Sequence, residues 1–159
     1  MSAREQQPRW AAVLTTLLAF ALQVIPVPEW LGIVRPAFAV LAVIYWSVAA
    51  PHAGGIALGF ITGLALDIFK GAVLGQYAFG LSLVAYLASR DHQVLRNKPV
   101  FEQSLLVAAA LAIYEVVAWS IDGWSGHPMS SATRWVHILT GAAIWPLIAS
   151  LFGRYATTR

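Results

Sequence analysis

Gly55-Ile56-Ala57-Leu58-Gly59-Phe60-Ile61-Thr62-Gly63-Leu64-Ala65-Leu66-Asp67-Ile68-Phe69-Lys70-Gly71-Ala72-Val73-Leu74-Gly75 is the stretch whose reading decides the fold. Gly55, Gly59, Gly63, Asp67, Gly71 and Gly75 recur on a four-residue step within sequence apolar enough to enter a membrane. Repeated Gly-x-x-x-Gly lets helix backbones approach closely in lipid. An acid in such a segment is costly to desolvate, so Asp67 needs a partner or a role. The full row cannot be one straight face, because steps of four drift by about 40° each on a 3.6-residue helix. Gly71 and Gly75 therefore read as a turn into the next helix.

The surroundings are of the same kind. The chain has 159 residues, 59% hydrophobic and 11% charged, with mean hydropathy +0.70. A soluble domain is about a quarter charged, and a globule of this size has no interior large enough for so much apolar surface. The class is an all-α polytopic membrane protein, read as a single domain over residues 1–159 without a linker or an internal repeat. The net charge of +3 does not suggest nucleic acid, because the basic residues fall between apolar stretches and form no face with interleaved aromatics. Cysteine is absent, which removes disulfides and thiolate metal sites.

A helix needs about 20 residues to cross the ~30 Å hydrocarbon layer. Six spans are expected, at 10–27, 36–50, 54–69, 71–89, 100–121 and 135–153. The first is read as an uncleaved span, although Ala19-Phe20-Ala21 resembles a cleavage site. The stretch from Pro36 to Leu66 would reach about 47 Å as one helix, so it is divided at Pro51-His52-Ala53-Gly54-Gly55. Charge supports the division. With six spans, Arg4, Arg9, Arg90, Arg96, Lys98, Arg154 and Arg159 share one side against Arg35, Lys70 and Arg134, seven to three. With five spans the division is four to six. The positive-inside rule then places both termini in the cytoplasm. Trp10, Trp30, Trp46, Trp124 and Trp135 lie near span ends, as interfacial anchors do, and Pro146 is expected to kink the last span.

Catalytic patterns are missing. His52, His92, His127 and His137 are scattered, with no His-Glu-x-x-His and no carboxylate cluster for a metal. Gly123-Trp124-Ser125-Gly126-His127 lacks the final glycine of a nucleophile elbow. Leu81 stands where a phosphate-binding loop through Gly75 and Gly80 would need lysine. No cofactor is expected.

Three readings of Asp67 are open. It pairs with Lys70 at the end of its span, it caps the turn before Gly71, or it couples proton or ion movement. Gly55, Gly59 and Gly63 pack their helix against a neighbour. Glu115 faces a polar cavity, a partner inside the bundle or a ligand. Tyr45 and Trp46 read as belt anchors, and Arg90–Lys98 as a solvated loop.

One further pattern spans the middle of the chain. Arg35-Pro36, Ile44-Tyr45-Trp46, Pro51-His52, Gly59-Phe60, Gly63-Leu64-Ala65-Leu66-Asp67, Gly71, Leu74-Gly75, Ala85-Tyr86-Leu87 and, later, Trp145-Pro146 follow in order. The chain strongly resembles the MreD family of bacterial rod shape-determining proteins. Its signature matches Arg35, Tyr45, Trp46, Gly63, Asp67, Gly71, Gly75 and Tyr86. Ala37-Phe38 depart from it, and Asp122–Thr133 matches nothing in it. The resemblance implies a non-catalytic inner-membrane scaffold that binds MreC and through it reaches MreB, RodA and a penicillin-binding transpeptidase. It also implies a six-helix bundle similar to the substrate-binding subunits of energy-coupling-factor transporters. On this reading the glycine-lined third span is a docking surface for MreC. The alternative is a subunit binding membrane lipid, a wall precursor or a small molecule, with Glu115 and Asp67 facing a cavity; an ion-coupled transporter is a third reading.

Overall fold

The computed structural model describes residues 3–126 and 133–156. Their regular structure is entirely helical: α1 (Ala3–Val24), α2 (Glu29–Val34), α3 (Phe38–Ala49), α4 (Gly55–Lys70), α5 (Gln76–Arg90), α6 (His92–Asn97), α7 (Val100–Ser125) and α8 (Thr133–Ala156). Gly32–Ala49 and Val100–Ser125 are long and apolar enough to cross a membrane, and Arg9–Val24 and Trp135–Leu151 are shorter apolar helices.

The ends of these helices follow local chemistry. α1 stops at Val24, ahead of Pro26 and Pro28. α3 begins after Pro36, and its first-turn N–H at Ala39 is satisfied from another helix by Gln23 Oε1 at 2.9 Å. α5 begins at Gln76 rather than at residue 71, because Gly71 (φ +63°) and Gly75 (φ +100°) adopt the left-handed conformation. α7 runs four residues past the expected 121 to Ser125, where Gly126 (φ +72°) ends it. α8 continues through Pro146. Arg90–Lys98, read as a loop, contains the two-turn helix α6 instead. Asp91 supplies the carbonyl that accepts the N–H of Leu95 there, at 3.0 Å.

α3 is the centre. Ala39, Val40, Leu41, Val43 and Ile44 are buried, and α1, α4, α5, α6 and α8 all touch it. A helix apolar on every face is a core helix or a membrane span, and for α3 the neighbouring helices cover those faces. Its 12 residues span only about 18 Å. A segment that short persists at membrane depth when its neighbours shelter its ends. The outer helices reverse the pattern of a soluble protein: Leu14, Leu17, Leu18, Ile61, Ile68, Leu105, Leu139 and Leu147 are all exposed. A water-soluble surface does not carry apolar patches on this scale.

Trp124 and Trp135 are exposed near helix ends, and Trp10 is exposed where the apolar part of α1 begins. Trp46 is not an anchor. It is buried, and its Nε1 donates to Thr15 Oγ1 at 2.7 Å, tying α3 to α1. Tyr45 is half-buried beside Trp145, with ring centroids 6.4 Å apart. The belt reading of Trp46 is therefore corrected. An indole N–H with a hydroxyl inside the bundle has no need of the interface. His127 and the side chains of Arg4, Trp30, Arg134, Arg154 and Arg159 lie outside what is described.

Candidate functional site

The site singled out by sequence is the turn between α4 and α5. α4 ends in a Schellman closure: Ala72 N–H donates to Asp67 O at 3.0 Å and Gly71 N–H to Ile68 O at 3.4 Å. Four residues later the chain starts α5, whose first N–H groups have no partners within their own helix. The Asp67 side chain supplies them. Oδ2 accepts from Gly75 N at 2.9 Å and Ala78 N at 3.3 Å, and Oδ1 accepts from Tyr77 N at 2.6 Å. The residue is 1% exposed. One aspartate thus closes the C-terminus of α4 with its carbonyl and the N-terminus of α5 with its carboxylate. Negative charge at a helix N-terminus is also favourable to the helix dipole.

This arrangement selects among the sequence readings. The carboxylate is turned to the α5 backbone, and the Lys70 ammonium lies over the Tyr77 ring, 4.3 Å from its centroid. The capping role holds where the ion pair was the first reading. No methyl group would clash at Gly71 or Gly75, since an added Cβ meets nothing within 4 Å at either. Their glycines serve backbone conformation alone. Gly71→Ala is expected to destabilise by about 1–2 kcal/mol, the cost of a left-handed L-residue. Gly71→Asn should lose less, because asparagine tolerates that conformation. Thermal unfolding of the purified variants in detergent measures both.

Above the turn, α4 and α5 run antiparallel in close contact. A Cβ on Gly63 would lie 2.3 Å from Ala78 Cα and 2.6 Å from Tyr77 O. On Gly59 it would lie 2.9 Å from Leu81 O and 3.0 Å from Ala85 Cβ. The expected small-residue seam exists, but α5 of the same chain fills it, so the reading of its glycines as a docking surface for MreC is corrected. Gly55 stands apart at the start of α4, with φ +43° and open space around it.

The remaining sequence candidates are dispersed. Glu115 is buried on α7, on the same stripe as Val107, Leu111, Ala118 and Asp122. Arg35 lies between α2 and α3, where its guanidinium donates to Ile25 O at 2.8 Å and its carbonyl meets His137 Nδ1. Tyr86 is 45% exposed on α5. Among the described residues no group of three or more histidine, aspartate or glutamate side chains could hold a metal.

Gln76 and Asp122 were missed as a pair. Gln76 Nε2 donates to Asp122 Oδ1 at 2.6 Å and to Ala118 O at 3.0 Å, joining the start of α5 to the end of α7. A glutamine inside an apolar run is a signal of the same kind as Asp67, because a polar group at membrane depth must find a partner. Its partner, 46 positions away, could not be read from spacing.

The comparisons with known proteins agree with one another. The family described as rod shape-determining protein MreD matches residues 5–155. The rod shape-determining protein MreD of Haemophilus influenzae is 31% identical over 144 residues, covering 88% of this chain and 87% of that protein. The protein of the same description from Bacillus subtilis is 29% identical over 90 residues, 57% of this chain and 52% of its own length. No solved structure matches. With a match that runs through α1 to α8 and takes in the Asp67 turn, the chain belongs to the MreD family of rod shape-determining proteins.

Proposed function

We propose that this chain is a scaffold of the bacterial cell-elongation complex, a single membrane domain of six spans that binds MreC in the inner membrane. As a member of its family it is a membrane-associated, non-catalytic component of the rod-shape system. The six spans are α1, α3, α4, α5, α7 and α8, with both termini cytoplasmic, in a bundle similar to the substrate-binding subunit of an energy-coupling-factor transporter. Through MreC the chain reaches MreB, RodA and a penicillin-binding transpeptidase.

The observation that carries this reading is how the signature residues are used. Asp67, Gly63, Gly71 and Gly75 act inside the chain to make α4 and α5 one rigid hairpin. That is the construction of a framework. Tyr86 is the signature aromatic left on the outside, and Phe79, seven positions earlier on α5, is exposed beside it on the same face. Exposed aromatics are the side chains that most often dominate an interface. MreC is proposed to lie along this face, with the Gly59–Gly63 seam supporting it from behind.

Tyr86→Ala is expected to lower MreC recovered by co-purification at least about fivefold, the ~1 kcal/mol or more of an interface hot spot. Its melting temperature should match the parent's, since the ring is not in the core. Unchanged recovery with normal expression would remove α5 from the interface. Reporter fusions at residues 52, 72 and 94 test the topology: 52 and 94 should report the cytoplasm and 72 the opposite side.

A further inference from the structure

A groove runs along the other side of the molecule. α1 and α8 form its walls and α3 its floor. Leu18 and Leu22, Phe38 and Ala42, and Leu147 and Leu151 line a cavity of about 360 Å³ with almost no polar surface. Leu18, Leu22, Leu147 and Leu151 are more than half exposed, so its rim opens sideways to the surroundings of the bundle. Tyr45 lines this cavity and also a neighbouring one of about 280 Å³, so the two adjoin at its side chain. The second cavity changes character. Arg96, Gln103, Trp145 and Ser150 join its wall.

The polar groups there differ in what they have left to offer. Gln103 accepts from Trp145 Nε1 at 3.3 Å and donates to Lys98 O at 3.0 Å. The Ser150 hydroxyl donates to Leu147 O at 2.9 Å. Arg96, on α6, is exposed, and among the described residues its charge acts on the Tyr45 hydroxyl but no salt bridge or hydrogen bond engages it. The apolar groove therefore adjoins a second cavity whose wall carries an exposed guanidinium with no carboxylate on it. That charge pattern complements one class of molecule, an amphiphile with an apolar tail and an anionic head. Guanidinium matches phosphate oxygens in a bidentate geometry, and a basic group beside a membrane attracts anionic lipid.

The geometry points to a specific site for one anionic phospholipid, with an acyl chain along α3 between α1 and α8 and its phosphate at Arg96. The occupant comes from the membrane itself, and the site does not depend on MreC. It lies across α3 from the α4–α5 hairpin, so a lipid and a partner on Tyr86 would not compete.

Native mass spectrometry of the full chain released from nonionic detergent tests this, with phosphatidylglycerol and diacylglycerol of identical acyl chains as probes. One phosphatidylglycerol should be retained at least tenfold better than diacylglycerol. Arg96→Gln should bring phosphatidylglycerol down to the diacylglycerol level, whereas Arg90→Gln, on the end of α5, should leave it unchanged. Leu147→Trp, which fills the groove from an exposed position, should weaken both. Equal retention of the two lipids, or an Arg96→Gln variant that keeps its phosphatidylglycerol, would overturn the proposal. So would crosslinking of Leu147 to the transmembrane helix of MreC in a complex from which lipid is absent, since the groove would then belong to a protein.

Discussion

Asp67→Ala should destabilise the protein by about 3 kcal/mol or more, combining the loss of a helix cap with buried N–H groups left unpaired. The residue is 1% exposed and receives Gly75, Tyr77 and Ala78 N–H, so neither water nor another side chain is placed to replace it. For a chain of this length the change corresponds to roughly 6–12 °C in melting temperature. Asp67→Asn should fall between the two. One carboxamide oxygen can still accept, but the NH2 group would meet backbone donors. Thermal unfolding in detergent, followed by loss of helical circular dichroism, reads the series. A melting temperature for Asp67→Ala within a degree or so of the parent's would show that the cap contributes nothing. Because the substitution acts through the start of α5, recovery of MreC should fall with stability and not ahead of it.

Gly63→Ala should be comparably severe, with a loss of about 3 kcal/mol, the upper end for forcing volume into a packed contact. The atoms an added methyl would strike are Ala78 Cα at 2.3 Å, Ala78 N at 2.6 Å and Tyr77 O at 2.6 Å. All belong to the backbone, so no rotamer change relieves the clash and α5 must move away. Gly59→Ala makes a useful contrast. Its nearest contacts are the Leu81 backbone oxygen at 2.9 Å and Ala85 Cβ at 3.0 Å, so α5 must move here too, but by less than at Gly63. Gly59→Ala should cost about 1 kcal/mol. The Gly63 substitution displaces Tyr77 and Ala78, the residues whose N–H groups Asp67 holds. Gly63→Ala and Asp67→Ala should therefore be non-additive, the pair costing less than the sum. Yield of monodisperse protein and melting temperature together measure this. Additive losses would mean that the seam and the cap act independently.

Much of the α4–α5 hairpin was legible from its residue types. Glycines at positions 59 and 63 announce a close approach, and Gly71 and Gly75 announce a turn, because only glycine adopts those conformations cheaply. The break at Pro51–Gly55 was legible for the same reason, and it falls between α3 and α4. What presses on the seam was not legible. A small-residue face has the same spacing whether its neighbour is the next helix or another protein. Asp67 posed a related problem. Lys70 lies three residues away, a spacing suited to a pair, yet the carboxylate is used eight to eleven residues downstream. Local periodicity ranks partners on one helix and is silent about those beyond a turn.

The sequence by itself determined the class and the family. Hydropathy and charge are summed over residues and survive without coordinates, and the ordered signature from Arg35 to Trp145-Pro146 needs none either. Tertiary structure alone decided who meets whom. It put Trp46 on Thr15 and Gln76 on Asp122, closed the glycine seam with α5, and left an open apolar groove beside a cavity lined by Arg96. The physical reason is that in a membrane almost every span is apolar on all sides, so the outward faces are not marked by polarity. Which side is covered depends on where neighbouring backbones fit closely and where a few buried polar atoms find each other.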